Sequence, residues 1–176
     1  MISLPLVYTI LALVAYTSSF WYLFIRLMSK RTPNLWCYSI MIGLGLLLHS
    51  TVLYQDMMTP IGVNYDVFNL MSFTSGLMLA LSLILSFIRP ILPLNLIGTP
   101  VAVIGLILGY AFSQPNQVIE QHSLGLDLHI ILSLSAYAVL LMATIHSVLL
   151  WFQDRELKKK QKRRIWVNLL PPFQVM

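Results

Sequence analysis

Apolar residues in this chain run in blocks of twenty or more, separated by short polar segments. Five blocks, Leu4 to Ile25, Leu35 to Tyr54, Phe68 to Ile88, Ile91 to Phe112 and Leu128 to Phe152, are each long enough as a helix to cross about 30 Å of hydrocarbon. The pattern predicts an all-α, polytopic transmembrane helix bundle over residues 1–152, followed by a basic tail over 153–176. The fourth block is the least regular. Pro93 near its start and Pro100 inside it predict a kink or a late helix start near Asn95. The first block has no basic residue ahead of it and no compact small-residue cleavage site, so a retained helix is expected and not a removed signal peptide.

Composition narrows the class. With 58% of 176 residues hydrophobic and 10% charged, the chain lacks the polar surface a soluble domain of this length needs. The single Cys37 excludes an intramolecular disulfide, and no zinc-type spacing is present. All eleven Lys and Arg residues fall after the first, third and fifth blocks, whereas the other two connections carry Asp56, Asp66, Glu120 and Asp127 and no base. The positive-inside rule therefore places the N-terminus outside and the tail in the cytoplasm. The net charge of +5 follows largely from this asymmetry, so the bilayer and not nucleic acid is the expected partner. "RELKKKQKRR" is read first as a stop-transfer and solvated flank, and second as a contact for anionic lipid.

Topology then gives depth to the histidines. His49 lies five residues before Tyr54, about 8 Å inside the outer boundary, and His129 opens the fifth span from the same side. His122 falls in the outer loop, and His146 lies about 25 Å along the helix from His129. Helical spacing from His129 gives Ser133, Tyr137, Leu140 and Thr144, a narrow polar seam expected to face protein. Gly45, four residues before His49, would admit a neighbouring helix or a flat ligand, and Asn69, Ser72, Gly76 and Ala80 make a similar face on the third span. Two neutral imidazoles from different helices can grip a haem iron, with small and aromatic residues suiting the macrocycle. Each histidine is read equally well as a hydrogen-bonded packing residue. Asp127 is expected as the N-cap of the fifth span, Met57 and Met58 as interfacial packing, and Cys37 as a small buried residue. Trp21, Tyr22, Trp151 and Trp166 are expected in the aromatic belt, and His146 as a hydrogen-bonded packing residue. No catalytic constellation is present, so the chain is not expected to be an enzyme.

"LHIILSLSAYAVLLMATIHSVLLWFQDRELKKK" resembles the histidine-headed helix and basic tail of the cytochrome c assembly family, the CcsA, CcmC and HemX-like membrane proteins. "LGLLLHSTVLY" and "YDVFNLMSFTSGLMLALS" resemble the second and third helices of the HemX-like, YpjD-type branch. The absence of a tryptophan-rich "WWD"-type segment also points to that branch. The resemblance implies a bacterial cytoplasmic (inner) membrane location, haem b as cofactor, and other cytochrome c assembly membrane proteins as partners. His129 matches the family's external-side haem ligand and His49 a second-helix histidine, with Ser133, Tyr137 and Gly45 beside them. Family members carry about three further helices after a "PP" segment, so "LLPPFQVM" is expected to lead into a longer protein that could supply a second histidine ligand.

Overall fold

A computed structural model of the chain describes residues 4–29, 31–60, 62–89, 91–114, 118–119 and 124–158. Five helices dominate it: α1 (Leu4–Met28), α2 (Leu35–Met57), α3 (Val67–Ser86), α4 (Asn95–Phe112) and α5 (Leu124–Lys158). All five are long and apolar enough to cross a membrane, and the protein is an all-α polytopic bundle. Glu120, His122, Trp166 and the basic stretch from residue 159 onward lie outside the described residues.

Local chemistry sets the helix starts. The Asn34 Oδ1 atom accepts from the backbone N–H groups of Trp36 and Cys37 at 3.0 and 3.3 Å, capping α2, and an Asp66 carboxylate oxygen accepts from Phe68 N at 3.0 Å, capping α3. Pro93 sits in a single 3-10 turn over Leu92–Leu94, and α4 proper begins at Asn95. Helix α5 begins at Leu124, one turn earlier than the hydropathy block. Asp127 is therefore in its first turn and not its N-cap, where its charge still complements the helix dipole.

Small residues set how closely the helices approach. A Cβ on Gly105 would collide with Ser75 Oγ, and one on Gly109 would fall 2.8 Å from Ser72 Cβ, so α3 and α4 interlock where two glycines meet two serines. At Gly45 the same construction meets the Tyr16 ring at 2.6 Å, which draws α1 onto α2. In hydrocarbon, where apolar burial no longer drives association, such fitted contacts and interhelical hydrogen bonds hold helices together. Ala12, Tyr16, Leu23, Tyr38, Ile42, Leu79, Ala102 and Leu106 fill the centre of α1–α4. Some of the polar groups buried beside them pair with one another: Ser82 Oγ donates to Asn95 Oδ1, and Asn95 Nδ2 donates to Ser86 Oγ, whereas the buried Asn69 amide makes no hydrogen bond among the described residues.

Helix α5 stands apart from this core. Only 6% of its most apolar stretch is buried, against 50% for α4, and it leans mainly on α3. Its N-terminal end is approached by a small antiparallel sheet with the order β1 (Met58–Thr59), β2 (Gly62–Asn64), β3 (Val118–Ile119). Val63 pairs with Met58 on one side and Ile119 on the other, stitching the α2–α3 connection to the α4–α5 connection. This sheet marks one end of the bundle. Arg26, Arg31, Arg89 and Arg155 belong to the other. Cys37, expected inside, is exposed.

Candidate functional site

His49 is 1% exposed and sits where α1, α2 and α3 meet. Its Nδ1 lies 3.0 Å from the Tyr16 hydroxyl and its Nε2 lies 2.9 Å from Ser72 Oγ. A neutral imidazole has one donor and one acceptor nitrogen, and both hydroxyls can take either role, so every hydrogen-bonding atom of the ring is satisfied. Gly76 makes room for the ring, since a Cβ there would lie 3.2 Å from His49 Cε1. The Tyr16 and His49 rings meet edge to face at 76°. The notch left by Gly45 is filled by Tyr16 and is not open to a flat ligand.

His129 has the opposite character. It is exposed, and no side chain among the described residues hydrogen-bonds to it. The expected inward seam is corrected here. His129, Tyr137, Leu140 and Thr144 are exposed and Ser133 is only half-buried, while Ala138 is the buried residue of α5. The aliphatic residues Ile130, Ile131 and Leu134 turn toward α2 and α3 instead, where they fit small and apolar neighbours. Tyr137 borders a second, shallower groove of about 420 Å³ with Thr74 and Gly105.

Because α5 packs on α3 and stands off α2, a cleft of about 650 Å³ opens between the three helices near the sheet end. Leu46, Leu53, Phe73, Leu77, Ala80 and Leu134 form its walls, and His49 touches it from the core side. His129 is not among its lining residues, so the two histidines do not share a cavity. At the sheet end the Tyr65 hydroxyl donates to an Asp127 carboxylate oxygen at 2.5 Å. Partial burial, and then the hydrogen bond to Asp127 and its charge, raise the Tyr65 hydroxyl to about 12.

The donor set divides with respect to haem b. His129 offers an imidazole with no hydrogen-bond partner among the described residues and could serve as one ligand to the iron. His49 would have to give up a buried hydrogen bond to bind iron, so it does not fit as the paired ligand. Among the described residues no group of three or more His, Cys, Asp or Glu is placed to hold a metal ion. Neither a protein-family model, nor a curated protein, nor a solved structure matches the chain.

Two participants escape sequence reasoning. Tyr16 is one phenol in an apolar helix, and its need for a buried partner was the available signal. The Tyr65–Asp127 pair joins residues far apart in the chain and left no such trace. His146 is half-buried, with no hydrogen bond among the described residues.

Proposed function

We propose that the protein is an integral membrane haem-handling factor that binds haem through His129, in cytochrome c assembly or a related haem process. The observation that carries this reading is an exposed imidazole near the sheet end of a mostly apolar helix, with no hydrogen-bond partner among the described residues. A histidine near hydrocarbon with no partner of its own is costly and is a functional candidate by default. The resemblance of α5 and its flank to the cytochrome c assembly proteins supplies the ligand class. In this reading the membrane is the bacterial cytoplasmic membrane, with the sheet end external. Bound haem supplies redox-active iron. The chain would hold the iron through a nitrogen of His129 and would offer a face bearing Ser133 and Tyr137, and His49 holds α1, α2 and α3 together. A second ligand to the iron would come from outside the described residues.

A haemochrome spectrum of the detergent-purified protein tests the assignment. Haem in the parent, its loss in His129→Ala and its retention in a folded His49→Gln variant are expected. No haem in the parent, or full haem in His129→Ala, overturns it.

A second reading, a non-enzymatic interaction or regulatory subunit, for example of a transporter, draws on the scant burial of α5 and the fully bonded His49. It expects a haem-free protein that folds normally and purifies with a stable membrane partner.

A further inference from the structure

Two chain reversals, α1 to α2 and α3 to α4, form the end of the bundle opposite the sheet. In the first, the backbone N–H of Asn34 donates to the Tyr22 hydroxyl oxygen at 3.1 Å, and the N–H of Arg31 donates to the Arg26 carbonyl at 2.9 Å. The Arg26 guanidinium lies over the Tyr22 ring, 5.5 Å from its centre. In the second, the N–H of Arg89 donates to the Leu85 carbonyl at 2.8 Å, which fixes the backbone of Arg89 against the last turn of α3. Trp36 and Phe87 join the two reversals, their ring centres 5.8 Å apart and their planes at 63°. Trp36 is nevertheless 72% exposed, a large amphipathic ring held where hydrocarbon gives way to head groups. The positive charge here has no counterpart within the four packed helices: from Met1 to Gln55 and from Val67 to Ile119 the sequence contains no Asp or Glu. Arg26, Arg31 and Arg89 make no ion pair among the described residues. The acids nearer this end, Asp154 and Glu156, belong to α5 and stand among seven Lys and Arg between Arg155 and Arg164.

We propose that this face docks the head groups of anionic phospholipids, with phosphate received by Arg31 and Arg89 and the glycerol region lying beside Trp36. A guanidinium presents a planar fork of donors that matches two phosphate oxygens, and it stays charged at any physiological pH. Arg26, held along the Tyr22 ring, adds positive charge beside them. Phosphatidylcholine offers the same phosphate, but its own ammonium offsets the charge. A lipid with net negative charge is therefore preferred, by about fivefold for each arginine that it meets at the membrane surface. The proposal does not depend on haem binding, because His129 lies near the opposite end of the bundle.

Trp36 is the reporter for the test. The full chain is placed in phosphatidylcholine vesicles with the same lipids in both leaflets, containing a minor share of either brominated phosphatidylglycerol or brominated phosphatidylcholine. Bromine quenches a neighbouring indole, and the difference between the parent and Trp36→Phe isolates the Trp36 signal. Phosphatidylglycerol is expected to quench it about fivefold more than phosphatidylcholine at equal content, with the gap narrowing as salt is raised. Arg31→Gln combined with Arg89→Gln should bring the two lipids to within about twofold, whereas Arg155→Gln, on α5, should leave the preference unchanged. Circular dichroism shows that each variant is folded. Inorganic phosphate should displace no more brominated lipid than chloride does at the same ionic strength; selective displacement by phosphate would make the ligand a free ion and overturn the lipid as occupant. Equal quenching by the two lipids in the parent, a preference that survives loss of both arginines, or an equal loss in Arg155→Gln also overturns the proposal.

Discussion

Replacing His49 by Leu tests whether the buried imidazole is a helix tie. The change keeps much of the side-chain volume but strands two hydroxyls in the interior. Ser72 Oγ has a fallback, because serines in this bundle donate to a carbonyl of the preceding turn, as Ser75 does to Ser72 at 2.9 Å. Tyr16 has none, since its ring is fully buried and its hydroxyl bonds to His49 alone among the described residues. An orphaned buried hydroxyl costs about 1–3 kcal/mol, and interhelical hydrogen bonds in membranes are worth about 0.6 and at most about 1.7 kcal/mol each. A loss of about 1–3 kcal/mol is therefore expected, most of it at Tyr16. Tyr16→Phe alone should cost about 1 kcal/mol by stranding Nδ1, but in the His49→Leu background it should restore stability, because it removes the orphan. Equilibrium unfolding in mixed micelles, followed by circular dichroism, measures all four corners of the cycle. A double variant whose loss equals the sum of the singles would refute the tie.

Three further outcomes are expected. Gly105→Ala drives a methyl into the Ser75 side chain and should destabilise the bundle by about 1–3 kcal/mol, with Ser75→Gly recovering most of the loss in the same unfolding assay. A membrane-impermeant maleimide should label the exposed Cys37 in sealed, right-side-out vesicles only after permeabilisation, because the basic end of the bundle is expected to face inward; labelling of intact vesicles would reverse that orientation. The raised folded-state value of Tyr65 means that the contribution of its neutral hydroxyl is fully present below about pH 10 and is lost as pH rises through about 12. The difference in tyrosinate absorbance between the parent and Tyr65→Phe should show this late step, and Asp127→Asn should move it toward lower pH.

The helices themselves were legible because length and hydropathy suffice to find a span, and Pro93 with Asn95 marked where α4 begins. Which face of each helix turns inward was much less so. In a bilayer, lipid and protein are equally apolar, so hydrophobic periodicity does not separate outside from inside, and small and polar residues decide. The residues Ser72 and Gly76 on α3 gave the inward face correctly, but the same rule applied to His129, Ser133 and Tyr137 failed. There the packing of Ile130, Leu134 and Ala138 sets the rotation of α5. Gly105 and Gly109, four residues apart, carry the α3–α4 contact and were not singled out from the sequence. The sheet was not readable, because strands of two and three residues joined across distant connections carry almost no local pattern.

The loose attachment of α5 also bears on how the protein is made. Helices α1 to α4 pack on one another and precede α5 in the chain, so they can pack before α5 is synthesised, and the first two strands of the sheet belong to that unit. The third strand, which immediately precedes α5 in the chain, can join only once that stretch has been synthesised. Docking of α5 can therefore follow the packing of the first four helices, with Val63 pairing to Ile119 as the latch that records whether it has happened.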